Sequence, residues 1–391
     1  MNMTCNSSRL LALVGLAVLL CPAGAASAPG KGSYIFYVGT NTDGGSKSRG
    51  IYAYRFEADS TEIVPLGLAA ETTNPSWLTM HPNGRFLYAV NSVGNFAGPN
   101  SGGVSAFSVD RATGKLTFLN EVASRGADPC YASVDKTGKL LLVANYSGGN
   151  VAVFPILADG KLGEATVVVQ HSGHGPNAVR QEGPHPHSID VSPDNRFAMV
   201  DDLGLDELLI YKFDSTQGTL TANNPPLVKM DAGAGPRHFA LHPNGRFAYV
   251  VDEMESKVSV FSADFGSGAF QSLQTISTLP QGFTGRNDDA EIAVHTSGKF
   301  VYASNRGHDS IAVFAIDPAK GTLTPIEYTP TMGKEPRNFE IDPTGTLLFA
   351  ANQKSDNIVV FRIDAKTGRL TPTGKVLEVS TPVCVKFLPR D

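Results

Sequence analysis

Apolar and polar positions along the chain repeat one pattern. A short apolar run leads into a Pro-Asn-Gly or Pro-Thr-Gly turn, and an alternating aromatic and β-branched run follows, as in Phe300-Val301-Tyr302-Ala303-Ser304. Alternation with period two marks a strand with one covered face, and Pro, Asn and Gly suit a tight reversal. After a short loop comes a third strand such as Ser310-Ile311-Ala312-Val313-Phe314-Ala315-Ile316. A glycine turn then opens a fourth at positions of the Gly321-Thr322-Leu323-Thr324 type. The pattern recurs along the chain. Asn74-Pro75 runs through His81-Pro82-Asn83-Gly84 to Asn91, Gly235-Pro236 through His242-Pro243-Asn244-Gly245 to Asp252, and Glu335-Pro336 through Asp342-Pro343-Thr344-Gly345 to Asn352. Stretches 128–145, 185–202 and 288–305 follow the same plan, and Thr381-Pro382 opens a seventh copy, so that successive starts lie 46 to 57 residues apart. Four antiparallel strands at a period near 50 residues describe a β-propeller blade.

The last copy supplies only a first strand, Val383-Cys384-Val385-Lys386-Phe387, while Tyr34-Ile35-Phe36-Tyr37-Val38-Gly39-Thr40 begins in mid-unit. Joined, the two complete one blade. The prediction is an all-β, seven-bladed propeller whose ring closes by pairing of the C-terminal strand with the N-terminal blade. Such a splice leaves no free inner edge, and the polar capping repeats of an open stack are missing.

The start of the chain departs from the repeat. Arg9 is the sole charge before Lys31, Leu10 to Leu20 is almost unbroken apolar, and Ala26-Ser27-Ala28 offers small residues for cleavage. This is the pattern of a secretory signal peptide over 1–28, followed by one propeller domain over 29–391 in an exported, periplasmic or secreted protein. The apolar run of about 11 residues is too short for a membrane span, which needs about 20. A lipid anchor on Cys21 would want a small residue where Leu20 stands. Removing the leader leaves Cys130 and Cys384 on non-neighbouring units, which predicts two free thiols.

Composition narrows the partners. Of 391 residues 41% are hydrophobic, enough for a core, and the formal net charge of −5 lacks the basic excess of a nucleic-acid surface. A monomer acting on a small molecule is expected.

The hairpin of strands one and two brings the start of one and the end of the other to the same mouth of the central channel. Six residues before the turn proline stand Ser76, Cys130, His187, Arg237, Ala290, Arg337 and Val383. Eight before it the ring includes Asp128, His185, Asp288 and Glu335, and ten after it Ser92, Tyr146, Glu253 and Arg306. Arg237 and Glu253 are neighbours in one hairpin, with Arg306 projecting from the unit after next at an adjacent register position. An arginine keeps a carboxylate ionised, which suits a general base for water. Two guanidiniums can grip an anion or steady an oxyanion, and His187 can donate a proton to a departing ring oxygen. Ester or lactone chemistry fits this set; plain anion binding would need only the arginines. His81 and His242 fall in turns at the opposite end, and Asn91, Asn145, Asn305 and Asn352 sit where a side chain ties loop backbone. Arg337 could instead form an ion pair with Glu335. His185 and His187 share one face of a strand and could ligate a metal, but no HExxH and no clustered Cys accompany them, so neither metal nor other cofactor is predicted. No GxSxG, GK[ST] or CxxCH motif occurs in the sequence.

Four motifs carry a family likeness. Gly175-Pro176-Asn177 with Arg180-Gln181-Glu182-Gly183-Pro184-His185-Pro186-His187-Ser188, Gly235-Pro236-Arg237-His238, Ala290-Glu291-Ile292 and Ser304-Asn305-Arg306-Gly307-His308-Asp309 resemble the seven-bladed lactonase family over about 33–389. That family includes bacterial 6-phosphogluconolactonases of the propeller type and the fungal carboxymuconate lactonising enzyme. The resemblance implies a catalytic histidine in the 185–187 segment, with register favouring His187, together with Arg237, Glu253 and Arg306. His185, Arg337, Glu291 and Arg180 are the implied substrate contacts. One departure is Tyr131 after Cys130, where relatives often carry histidine. The implied reaction is hydrolysis of 6-phospho-glucono-lactone. An export leader is in tension with it, since sugar phosphates are cytosolic, so a sugar lactone or similar lactone is expected. The alternatives are cyclisation of an unsaturated dicarboxylate and a non-catalytic exported propeller that binds a ligand or protein.

Overall fold

The computed structural model describes residues 1–2, 32–57 and 62–388; the leader expected over 1–28 falls, beyond its first two residues, outside them. Seven four-stranded antiparallel sheets form. Six are consecutive quartets, blades 1 to 6, whose innermost strands are Pro75–Met80, Pro129–Val134, Pro186–Val191, Pro236–Leu241, Asp288–Val294 and Pro336–Ile341. Blade 7 is composite. Pro382–Phe387 lies innermost and pairs with Ser33–Thr40, setting Val385 opposite Val38 and Phe387 opposite Phe36. Each innermost strand touches those of the two flanking blades, and blade 7 touches blades 6 and 1, so the ring closes as the pattern predicts. Among the described residues the sole helical element is the 3₁₀ turn Gln353–Ser355, and no helix is long and apolar enough to cross a membrane.

Second strands such as Leu140–Asn145 and Phe247–Asp252 are buried along their whole length, because both their faces meet neighbouring blades. Aromatic and β-branched residues fill the seams, as where Tyr249 and Val251 pack with Val301, Ala303 and Phe314. Each such side chain contributes roughly 1.5–3 kcal/mol on burial. Polar ties then fix the angle between blades. The turn imidazoles do more than shape their own turns. His81 Nε2 lies 2.8 Å from the Gly138 carbonyl of the next blade, His242 2.9 Å from Gly298 and His295 2.7 Å from Gly345. The other ring nitrogen accepts a backbone N–H two residues on, so Nε2 carries the proton that crosses to the next blade. Asn91, Asn145, Asn305 and Asn352 donate to loop carbonyls at Thr73, Ser124, Thr278 and Thr331.

A feature invisible to strand alternation recurs in every blade. Pairing of the innermost strand with its neighbour slips at one place, leaving Ser76, Cys130, His187, Arg237, Arg337 and Val383 each without a partner residue; in blade 5 the slip takes in Ala290 and Glu291. These are β-bulges, which bend a strand and re-aim a side chain. The ring at the first of the three repeat positions is therefore a ring of bulges around the axis.

The second strand of blade 3 buries Asp201 completely; one carboxylate oxygen accepts from Ser188 at 2.7 Å and the other has no hydrogen bond among the described residues. Burial pushes its pKa up to about 7. Because the folded value lies above the unfolded one of about 3.9, the group favours folding most below pH ~4, and that contribution is lost as pH rises through the folded value. Asp201→Asn is expected to be more stable than the parent by about 1–3 kcal/mol above pH ~7, with the gain fading toward pH ~4 in thermal melts.

Candidate active site

The axis of the ring holds two adjoining spaces. An upper cavity of about 540 Å³ is lined by Arg180, His187, Glu253, Arg306 and Arg337 and by loop residues of the mouth. Beneath it a chamber of about 110 Å³ is walled by six of the bulge residues, with Trp77 and His238 beside them. Ser92, Cys130, His187 and Arg337 belong to both, and so mark the constriction between them.

Glu253 stands directly after the second strand of blade 4, Phe247–Asp252, with Arg237 on the bulge of the same blade. Arg306 ends the strand Phe300–Arg306 of blade 5. That is the very next blade and not the one after it, since the units opening at 235 and 288 are consecutive. Arg237 Nε and Arg306 Nη2 each lie 2.9 Å from Glu253 Oε2, and Arg180 pairs with Oε1. The Arg237 Nε–H is not aligned on Oε2, so that contact is chiefly Coulombic. Backbone carbonyls hold the arginines from behind: Arg237 Nη1 donates to Ala290 at 2.5 Å and Arg306 Nη2 to Asp289 at 2.9 Å. Arg180 comes from the loop between blades 2 and 3, where the buried Gln181 anchors it by donating to the Leu203 carbonyl at 2.8 Å and to Asp206 at 2.6 Å. Burial by itself would raise the Glu253 pKa, but Arg306, Arg237 and, to a lesser degree, Arg180 overrule it and hold the carboxyl well below the usual glutamate range.

His187 is buried on the bulge of blade 3, its ring edge-on to Tyr146 and His238 and its Nδ1 3.8 Å from Cys130 Sγ. Burial, then the charge of Arg237 and the nearby His238, depresses its pKa well below 6.5. These environments bear on which group can take the first proton. A carboxylate held so firmly ionised is a feeble base, whereas an imidazole kept neutral accepts a proton first and can donate it only afterwards.

Two of the expected substrate contacts line neither space. Glu291 follows the blade 5 bulge residue Ala290 as His238 follows Arg237, and its side chain is taken up in the wall. There its carboxylate meets His238 Nδ1 at 3.0 Å and Asn338 Nδ2 at 2.6 Å. His185 also lies outside both spaces: it stacks on Tyr146 at 4.5 Å, with its nitrogens 3.0 Å from the Tyr146 carbonyl and 3.1 Å from Glu182. Only His187 of the pair faces the channel. The ion pair between Arg337 and Glu335 does not form either, since Glu335 pairs with Lys354. Among the described residues no three His, Cys, Asp or Glu side chains converge as a metal site requires, and Cys130 and Cys384 are both free thiols.

Some channel residues have no counterpart in the expected set. His238, next to Arg237 across the bulge, faces the lower chamber and packs against Trp77 at 5.2 Å and Tyr131 at 5.1 Å. Trp77 is the sole tryptophan of the chain, which was its one signal. Arg286 reaches the mouth from a loop and Lys354 from the 3₁₀ turn Gln353–Ser355, beyond the reach of strand periodicity.

A family model described as lactonase, 7-bladed beta-propeller, matches residues 35–387. The 6-phosphogluconolactonase of Bacillus subtilis (strain 168) is 39% identical over 355 residues, covering 91% of this chain and 98% of that protein. Among solved structures, a protein of Bacteroides fragilis described as a candidate 6-phosphogluconolactonase superposes with a TM-score of 0.85 at 36% identity, covering 92% and 99% of the two chains. The periplasmic gluconolactonase of Pseudomonas aeruginosa superposes with a TM-score of 0.84 at 35% identity, covering 91% and 99%.

Proposed function

Because the chain belongs to the seven-bladed β-propeller lactonase family, we propose that it hydrolyses a sugar lactone of the kind that 6-phosphogluconolactonases and gluconolactonases open. The observation that carries this reading is the meeting, in one cavity, of a neutral buried imidazole with a carboxylate held ionised by arginines from two blades and a loop. His187 takes a proton from water as the oxygen attacks the lactone carbonyl carbon. The oxyanion that forms is stabilised by the fixed positive charge of the channel. As the carbonyl re-forms, the ring C–O bond breaks and the imidazolium returns its proton to the ring oxygen. Glu253 stays anionic throughout and keeps Arg237 and Arg306 in place.

Charge at the mouth refines the substrate. Arg286 pairs with Asp288 at 3.1 Å, Lys354 with Glu335 and Arg180 with Glu253, which leaves Arg337, among the described residues, as the one unpaired cation lining the upper cavity, a single charge against the two of a phosphate dianion. The secretory pattern over 1–28 supports export to a compartment poor in sugar phosphates. An unphosphorylated sugar lactone fits both. Purified protein given glucono-lactone, its 6-phosphate and carboxymuconate in turn is expected to release acid fastest from the unphosphorylated lactone. Release from neither lactone, or loss of diene absorbance from carboxymuconate alone, would overturn the proposal. A reporter fused to residues 1–30 and found outside the cytoplasm would support export.

A further inference from the structure

The four channel arginines are not equivalent. Arg237 and Arg306 are committed to Glu253 and to backbone carbonyls, and Arg180 to Glu253 and, at 3.6 Å, to Asp288. Arg337 alone among them makes no hydrogen bond and no ion pair with any described residue, because Lys354 takes the carboxylate of Glu335. Its place is also particular. The bulge of blade 6 sets it at the constriction, opposite the Cys130 and His187 bulges of blades 2 and 3, where it borders both spaces. The chamber below, at about 110 Å³, is smaller than a hexose ring would need, yet polar and roomy enough for about three waters.

Resting on the lactonase reading, we propose that Arg337 receives the carbonyl oxygen as it becomes an oxyanion, and that the attacking water comes from the lower chamber past His187. A sugar ring in the upper cavity sets its carbonyl carbon at the constriction, between a guanidinium with free N–H groups and an imidazole that borders the water. The water oxygen bonds to the carbonyl carbon and its proton passes to His187. The carbonyl electron pair moves onto the oxygen facing Arg337. When the C=O re-forms, the ring C–O bond breaks and the ring oxygen takes the proton from His187. The new acid then ionises, releasing one proton to solvent, and its two oxygens match the fork of a guanidinium.

Arg337→Met and Arg337→Lys, assayed by acid release from glucono-lactone, test the first half. The methionine variant is expected to lose about 10²–10³-fold in kcat with KM changed less than about 3-fold, and the lysine variant to recover only part of it. Added guanidinium should rescue Arg337→Ala, and binding of gluconate, read by calorimetry without turnover, should weaken at least tenfold in each variant. Retained kcat, or a loss confined to KM, overturns the role of Arg337. Ser76→Leu and Val383→Leu narrow the lower chamber without touching a charged group, and each is expected to lower kcat at unchanged KM. If neither does while the fold holds, the water route is wrong. Wild-type protein that binds gluconate through Arg337 yet opens no lactone would sink the lactonase reading and leave the guanidinium's anion site standing.

Discussion

Glu253→Gln is expected to give the largest combined loss of stability and turnover of any single isosteric change in this protein. The amide keeps the shape and removes the charge, so Arg237 and Arg306, 3% and 12% exposed at the side chain, face each other without a counter-ion. Removing one member of a buried charge set typically costs about 3–5 kcal/mol, because the remaining charges stay desolvated and unpaired. Arg237 is already crowded: burial, then Arg337 and Arg306, push its pKa down to about 9. Turnover should fall about 10²–10³-fold even where folding survives, since the arginines lose the anchor that fixes them. A pH signature separates this from generic damage. The folded carboxyl titrates below its unfolded value of about 4.3, so its stabilisation is present above that pH and is lost as pH falls toward the folded value. The glutamine variant should therefore lose most against the parent at neutral pH and converge with it in acid, while Glu253→Asp retains part of both properties. A variant within about 1 kcal/mol of the parent at pH ~7, with activity kept, would contradict the arrangement.

How far this centre is legible in the sequence depends on what aims each side chain. Closure and blade count follow from turn prolines and glycines, because a repeat that pairs its own four strands can bury its faces only against copies of itself. The same register brings His187, Arg237, Glu253 and Arg306 to one axis although 119 positions separate the first from the last. What alternation cannot see is the bulge. It places two successive residues, Arg237 and His238, at the channel, while contacts to His238 and Asn338 hold Glu291, at the equivalent position of blade 5, in the wall. Nor can spacing decide between partners in competition. Glu335 lies two residues from Arg337, yet Lys354 of the 3₁₀ turn claims it, and that displacement is what leaves a guanidinium free. Loop residues such as Arg286 follow no period, and their place at the mouth is set by tertiary packing alone.

His187→Gln should cut kcat about 10²–10⁴-fold while leaving the melting temperature close to that of the parent. The asymmetry follows from the ring's state: it is buried but neutral, makes no ion pair, and its contacts to Tyr146, His238 and Cys130 are ones an amide of similar length largely replaces. The pH profile then distinguishes the two roles an imidazole can play here. Burial, Arg237 and His238 hold its pKa well below 6.5. A base must be unprotonated, so kcat/KM should be flat through neutrality and fall only as pH drops through that low value. An acid in the first step would require the opposite, with activity falling as pH rises through the same value and little left at neutral pH. Acid-release rates across pH ~4–8, corrected for spontaneous lactone opening, decide between these shapes. A profile that declines from its acid end would return His187 to the role of first proton donor, and the water would then need a different base.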